Sequence, residues 1–249
     1  MKLSVNGIDV FWEEHGDGEP LLWLHGGMGC GADWRHVFPE PPRAFRLIAP
    51  DLRAHGASTG DSSTFSFRQC AHDVLALLRH LEVARVKAIG LSGGGIVLLH
   101  AATLAPALVQ AMVVVSAPPY FPAEARAIMR QYSEATIGDA EMARMRERHT
   151  RGDAQIQDLV KMCRAFADSY DDVSFTAPKL AAITARTLIV FGDRDPLYPV
   201  SLAFELHRGI PGSNLWVVPN GGHGPIFGAA APAFRETALA FLRRQSLEP

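Results

Sequence analysis

Short apolar runs alternate with longer segments of mixed polarity along most of the 249-residue chain. Six of the runs are almost continuously apolar, which is typical of parallel strands that helices cover on both faces. They read PLLWLHGG, FRLIAPD, VKAIGLS, AMVVVSAP, TLIVFGD and NLWVVPNGG. Strands that alternate with helical segments in this way predict a doubly wound α/β sheet.

The segments that flank these runs complete the prediction. The stretch LSVNGIDVFWEE holds two alternating runs around Asn6-Gly7, which is a strong signal for an antiparallel hairpin. Helical patterns extend over residues 67–81, 95–105 and 231–244. We therefore predict a mostly parallel sheet of about eight strands that begins with an antiparallel hairpin.

Residues 118–183 interrupt the alternation because they contain no strand signal. Apolar side chains spaced along charged helical sequence most often form the core-facing side of helices. Because these apolar side chains form a set between two central strands, they also fit a helical cap over the strand ends. We thus divide the chain into a core of residues 1–117 and 184–249 and a cap of residues 118–183. The side chains in question are Met129, Tyr132, Met142, Met145, Met162 and Phe166.

Composition narrows the class of protein. A net charge of −2 and 48% hydrophobic residues suit one domain with a full core, with no attraction to nucleic acid or an anionic membrane. No apolar run approaches the roughly 20 residues that span a bilayer. Cys30, Cys70 and Cys163 show no metal-binding spacing, so we expect buried, reduced thiols in a cytoplasmic protein. A homodimer is left open.

Candidate chemistry follows the strand ends, where open parallel sheets bind their ligands. Ser92 ends the third run within a G-x-S-x-G pattern, two acids follow the fifth run, and His223 follows the sixth. A serine becomes nucleophilic when an imidazole accepts its proton, and a carboxylate orients that imidazole. We expect Asp195 to be this carboxylate, whereas Asp193 is closer to the strand and shapes the turn. The run before them ends in Ser-Ala-Pro and offers no acid.

These segments resemble the α/β-hydrolase family over essentially the whole chain. The resemblance rests on HGGMG, DLRAHGAS, GLSGGG, GDRDPLYP and NGGHGP. It implies the α/β-hydrolase fold with a helical cap and a catalytic triad of Ser92 as nucleophile, His223 as base and Asp195 as orienting acid. It implies no cofactor and no metal.

The same resemblance implies an oxyanion hole of two backbone N–H groups. Gly93, which follows the nucleophile, supplies one of them, and Gly27 supplies the other. Met28 stays open as the second donor or as a residue that adjusts it. His25 precedes the glycines and is expected to brace their loop. The loop that follows the next strand contributes residues with expected structural roles: Asp51, Arg53 and His55.

A serine nucleophile implies a serine hydrolase, and small neutral carboxylic esters are the expected substrates. Lactones, carbon–carbon bonds, proline-type aminopeptidase substrates and peroxy-acid formation remain alternatives on the same triad. A ligand-binding protein that uses this fold without turnover is a further alternative. Charged substrates are expected to fit poorly unless Arg126, Arg130 or another cation of the cap points inward.

A dinucleotide-binding domain is the alternative from another class. Residues 27–32, GMGCGA, fit G-x-G-x-x-A after a strand, and Asp51 ends the next strand about 20 residues further on. Against it, a hairpin precedes the strand and three prolines interrupt the expected crossover helix. It also leaves Ser92, Asp195 and His223 without a role.

Overall fold

One eight-stranded sheet runs through the computed structural model, which describes residues 1–244. Residues 245–249 of the predicted core lie outside the described residues. The strands are β1 (Lys2–Val5), β2 (Ile8–His15), β3 (Glu19–Leu24), β4 (Phe45–Pro50), β5 (Val86–Leu91), β6 (Val109–Val115), β7 (Arg186–Gly192) and β8 (Asn214–Val218). Their order across the sheet is β1-β2-β4-β3-β5-β6-β7-β8.

The direction of the strands confirms the predicted architecture. β2 runs antiparallel to β1 and β4, and the other neighbouring pairs are parallel. Val5 pairs with Ile8 across a two-residue turn in which Asn6 and Gly7 both have positive φ angles, 48° and 78°. Such a turn matches the twist of its strands, which explains why Asn-Gly begins the hairpin.

Side chains of the central strands alternate between two apolar layers. In β3, Leu22 and Leu24 pack on one face, and Leu21 and Trp23 pack on the other. All four are at most 2% exposed. Because both faces are buried, the strand reads as a continuous apolar run instead of an alternating one.

Helices cover both faces of the sheet. α1 (Phe67–His80) and α2 (Gly93–Leu104) pack on one face together with α8 (Val200–Gly209), and α9 (Ala231–Arg243) packs on the other. α2 begins two residues before the predicted start at residue 95, so the glycines form its first turn. Helix α9 and helix α1 each end one residue before the predicted end.

The segment between β6 and β7 is helical, as its lack of strand signal predicted. Among the described residues, an isolated bridge between Tyr120 and Ser174 is its one extended pairing. Its helices are α3 (Ala123–Arg130), α4 (Glu134–Ile137), α5 (Asp139–Arg148), α6 (Asp153–Ala165) and α7 (Ala177–Ala181). Within the described part of the chain, no helix is long and apolar enough to cross a membrane.

Candidate active site

Ser92 occupies the bend between β5 and α2 in a strained backbone conformation. Its φ and ψ angles are 50° and −116°, a combination that costs a non-glycine residue about 1–3 kcal/mol. A Cβ atom at Gly94 would overlap the carbonyl oxygen of Leu24, and one at Gly95 would lie 2.6 Å from the Cβ of Ala117. The glycines are therefore required because the bend packs directly against neighbouring backbone. The bend places the serine hydroxyl at the edge of the sheet, where the strands end.

A chain of hydrogen bonds joins the three side chains that the sequence singled out. Nε2 of His223 lies 2.9 Å from Oγ of Ser92, and Nδ1 of His223 lies 2.8 Å from Oδ2 of Asp195. An ionised carboxylate only accepts, so Nδ1–H donates to Asp195 and Nε2 is free to accept the serine hydroxyl proton. The three residues come from the ends of β5, β7 and β8, as the strand-end argument predicted.

The two candidate acids differ sharply in their surroundings. The Asp195 side chain is 0% exposed, and its Oδ1 accepts the backbone N–H groups of Leu197 at 2.8 Å and Tyr198 at 3.1 Å. Asp193 is exposed, and its backbone N–H donates to the carbonyl oxygen of Val218. The preferred carboxylate is thus the one that contacts His223, and the other lies in the turn.

Two contacts to the His223 loop were not predicted from the sequence. Ser116 at the end of β6 accepts the N–H of Gly224 at 3.2 Å through its hydroxyl, and it has a positive φ angle of 46°. The buried ring of Tyr198 meets the His223 ring edge-on, with 5.3 Å between centroids. Only the place of Ser116 after a strand marked it beforehand.

The loop after β3 lies beside the serine. A Cβ built on Gly93 would be 3.3 Å from the nitrogen of Gly27, and one built on Gly26 would be 3.5 Å from the Cβ of Ser92. Among residues 1–244, the N–H groups of Gly27 and Met28 donate no hydrogen bond. Both candidates for the second oxyanion donor are therefore available, and Gly27 lies beside Gly93, the expected first donor.

His25 stabilises this loop through two hydrogen bonds, as expected. Its Nε2 accepts the N–H of Leu52 at 2.9 Å, and its Nδ1 donates to the carbonyl oxygen of Gly26 at 2.7 Å. Burial lowers the pKa of His25, which keeps the ring neutral and able to do both. Asp51 accepts the N–H groups of Gly31 and Ala57, each at 2.7 Å.

The other two supporting residues also have structural contacts. Arg53 makes a two-pronged ion pair with Asp73, in which both N–O distances are 2.9 Å and both side chains are at most 4% exposed. His55 donates through Nδ1 to the carbonyl oxygen of Arg53 at 2.8 Å. Burial lowers the pKa of His55 well below its ordinary value, so this ring is neutral as well.

The serine opens into an apolar cavity of about 150 Å³. Side chains from α1, from the segment 118–183 and from the loop after β7 enclose it, including Phe67, Phe121, Met129, Tyr132, Phe166 and Leu197. Three of these belong to the methionine and aromatic set noted in the sequence. Met142 and Met162 instead pack in a buried cluster with Met28 and Ala54.

A second cavity of about 210 Å³ adjoins the first across Gly27, Met28 and Tyr132. It has a charged wall, in which Arg148 binds Asp33 at 2.8 Å and Glu141 at 2.6 Å. Arg148 is thus a cation of the segment 118–183 that lines the cavity next to the serine cavity.

The two cations named from the sequence are engaged elsewhere. Arg126 is buried and donates to the carbonyl oxygens of Phe121 and Ala167, and the exposed Arg130 pairs with Asp168. Neither is among the residues that line the two cavities.

The cysteines are free thiols, and one differs from its prediction. Cys30 and Cys70 are buried as expected, whereas Cys163 is half-buried in the wall of the serine cavity. This difference arises because α6 turns that side chain toward the cavity. Burial raises the pKa of the Cys163 thiol, which favours its protonated and less nucleophilic form.

The fold argues against a dinucleotide site. Where that alternative needs an α-helix after β3, the structure has the six-residue 3-10 helix Gly31–His36. The carboxylate of Asp51 is occupied by the backbone of Gly31 and Ala57. In the described part of the chain, no group of His, Cys, Asp and Glu side chains has the arrangement of a metal site.

Two family models cover most of the chain. One, described as alpha/beta hydrolase fold, matches residues 19–138, and the other, described as TAP-like protein, matches residues 149–249. The chain belongs to the α/β-hydrolase family. This confirms the resemblance read from its motifs.

Similar proteins extend over nearly the whole of this α/β hydrolase. The serine hydrolase BPHL of Homo sapiens is 28% identical over 241 residues, which are 89% of this chain and 79% of BPHL. The enol-lactonase from Burkholderia xenovorans LB400 has a TM-score of 0.78 at 18% identity and covers 98% of this chain and 100% of its own. The meta-cleavage product hydrolase CumD from Pseudomonas fluorescens IP01 has a TM-score of 0.77 at 19% identity and covers 97% of each chain. Both structures show the shared fold.

Proposed function

We propose that this α/β hydrolase is a serine hydrolase that cleaves small neutral carboxylic esters through an acyl-enzyme. The observation that carries the proposal is the continuous hydrogen-bond chain from the buried Asp195 through His223 to Ser92. Its serine end opens into an apolar cavity. Beside the serine lie the backbone N–H groups of Gly27 and Met28, which donate no hydrogen bond among residues 1–244. A nucleophile, a base, an orienting acid and oxyanion donors together suit acyl transfer.

Acylation begins at the serine hydroxyl. Oγ of Ser92 attacks the ester carbonyl carbon while its proton passes to Nε2 of His223. The N–H of Gly93 and that of Gly27 or Met28 stabilise the negative oxygen of the tetrahedral intermediate, and one such donor contributes about 3 kcal/mol. The imidazolium, stabilised by Asp195, then protonates the leaving alkoxide, so that the alcohol departs and the acyl group remains on the serine.

Deacylation repeats these steps with water. His223 takes a proton from a water molecule, whose oxygen attacks the acyl carbon and forms a second tetrahedral intermediate in the same oxyanion hole. Collapse of this intermediate breaks the bond to Ser92, which regains its proton from the imidazolium. One ester and one water therefore yield one alcohol and one acid, and the enzyme returns to its starting state.

The apolar cavity supports a preference for short, neutral substrates. Each buried methylene contributes about 0.8 kcal/mol, which is about fourfold in the specificity constant. At about 150 Å³, the cavity fills after a short to medium acyl chain. Met129, Tyr132 and Phe166 contribute its wall from residues 118–183, and this supports a role of that segment as a cap over the substrate.

The test is a panel of substrates measured by kcat/KM. A series of p-nitrophenyl esters from acetate upward is compared with simple lactones, aminoacyl arylamides and a simple diketone, with Ser92→Ala as the control for background hydrolysis. We expect a rise of several-fold per added carbon to a maximum at short or medium chains. A flat series contradicts the pocket argument.

The rival reactions use the same triad and are separated by the same panel. The enol-lactonase and CumD share the fold, so a specificity constant higher for a lactone or a cleaved carbon–carbon bond than for every ester would overturn the ester proposal. Absence of both turnover and serine labelling by a fluorophosphonate would indicate a ligand-binding protein instead.

A further inference from the structure

His149 links the segment 118–183 to the two loops that surround the serine. It follows α5, is 1% exposed, and donates through Nε2 to the carbonyl oxygen of Met28 at 3.1 Å. Its Nδ1 accepts the N–H of Gly56 at 3.0 Å. Because a ring nitrogen that accepts is unprotonated, these partners fix the Nε2–H tautomer of a neutral ring. No motif in the sequence marks this residue.

The carbonyl that His149 holds belongs to a strained residue. Met28 has a φ angle of 61°, which a residue other than glycine adopts only when its surroundings enforce it. The N–H of Met28 is one candidate for the second oxyanion donor, and the N–H of Gly27 is the other. The N–H and the carbonyl of Met28 belong to the two peptide groups that flank its α-carbon. A change in the backbone angles of Met28 that moves the carbonyl therefore also reorients its N–H and the adjoining Gly27.

We propose that His149 is a positioning residue for the oxyanion hole, which it sets by holding the Met28 carbonyl. The inference rests on the proposed function for its kinetic consequence, whereas the contact itself does not depend on catalysis. His149 does not touch the reacting atoms. It acts through the backbone of the loop after β3, and its effect falls on the transition state because the oxyanion forms only there.

Other residues of the same segment fasten it to the core without reaching Met28. Gln155 donates to the carbonyl oxygens of Ala54 at 2.8 Å and Gly56 at 3.0 Å, and Arg151 donates to that of Ala54 at 3.1 Å. A purely structural His149 would behave like Gln155 when substituted. Gln155 therefore gives a matched control from the same segment, because it contacts the same loop at Gly56.

Burial keeps the imidazole neutral near pH 7. It lowers the pKa of His149 to about 4, and the guanidinium of Arg148 acts in the same direction. The hydrogen bond to the Met28 carbonyl and the charge of Asp33 act in the opposite direction. The neutral ring of His55 also lies against it, with 6.2 Å between centroids. Kinetic comparison at pH 7.5 therefore tests the hydrogen bonds of one protonation state.

Two conservative substitutions separate the two hydrogen bonds of the ring. In His149→Asn the side-chain oxygen can still accept from Gly56, but the amide is too short to donate to Met28. In His149→Gln the longer amide can donate to Met28 and loses the Gly56 contact.

We expect kcat for a p-nitrophenyl ester to fall by roughly 10–100-fold in His149→Asn, because full loss of an oxyanion donor lowers kcat by about 10²–10³-fold. KM should stay within about threefold. We expect kcat to stay within about threefold of wild type in His149→Gln and to be unchanged in Gln155→Ala.

A readout without substrate keeps this inference separate from the proposed function. Amide ¹H–¹⁵N resonances of Gly27, Met28 and Gly29 should shift in His149→Asn and stay near their wild-type positions in Gln155→Ala. Unshifted resonances in His149→Asn overturn the positioning role whatever the activity. Equal losses of kcat in His149→Asn and Gln155→Ala also overturn it, since they indicate general loosening. A wild-type protein that neither turns over nor labels defeats the proposed function alone, and the resonances still decide the role of His149.

Discussion

Replacing Asp195 by Asn changes one atom of the proposed triad and reverses the direction of one hydrogen bond. The amide oxygen can still accept the N–H groups of Leu197 and Tyr198, so the loop after β7 keeps its contacts. The amide nitrogen, however, donates toward Nδ1 of His223 from 2.8 Å and leaves the proton of the ring on Nε2. An Nε2–H faces Ser92 as a donor and cannot accept the hydroxyl proton. The wrong tautomer thus removes the base without removing a side chain.

The expected loss follows from other serine triads. The same substitution there lowers kcat by about 10⁴, which corresponds to about 5 kcal/mol of activation free energy. Asp195→Asn should therefore show a kcat about 10⁴-fold below wild type in a p-nitrophenyl ester assay, with Tm nearly unchanged. Asp193→Asn is the matched control, because Asp193 is exposed in the same turn, and its kcat should stay within about twofold. A loss below tenfold for Asp195→Asn, or the opposite ranking of the two variants, would refute the assignment of the acid.

Three further predictions concern stability. Burial lowers the pKa of His149 to about 4, whereas in the unfolded chain it is near 6.5, so only the unfolded state gains this proton as pH falls between these values. The free energy of unfolding, measured by urea denaturation at several pH values, should drop by up to about 1.4 kcal/mol per pH unit across that window. Its change with pH should be smaller in His149→Gln, and an equal change with pH in both proteins contradicts this prediction. Asp73→Ala leaves the buried Arg53 without its partner and should cost about 3–5 kcal/mol in urea denaturation, and a loss below 1 kcal/mol would show that the ion pair is dispensable. Gly94→Ala should lower the free energy of unfolding by about 3 kcal/mol or prevent folding, because its Cβ would overlap the carbonyl oxygen of Leu24; a wild-type Tm would show that the bend has room.

The sequence predicted the features that local patterns determine. The hairpin at Asn6-Gly7 and the continuous apolar strands follow from turn chemistry and from burial on both faces. Ser92, Asp195 and His223 could be selected because parallel strands end at a common edge. The start of α2 was predicted two residues late, since the glycines at 93 and 94 disfavour helix by propensity and are retained for close backbone contact.

The remaining features depend on contacts between distant parts of the chain. His149 lies 121 residues from Met28, and Ser116 lies 108 residues from Gly224. No local spacing marks such pairs, because tertiary packing alone brings them together. For the same reason, the sequence did not distinguish Met129, which lines the serine cavity, from other methionines of its segment that pack in the core.

Labelling of Ser92 tests the central claim most directly. Intact-mass spectrometry of the wild-type protein after treatment with a fluorophosphonate should show one covalent adduct, and peptide mapping should find it on Ser92. Ser92→Ala should fold with the same Tm, take up no label and lose ester turnover by several orders of magnitude. A folded Ser92→Ala protein that keeps near-native turnover, or an adduct on another residue, would contradict the account.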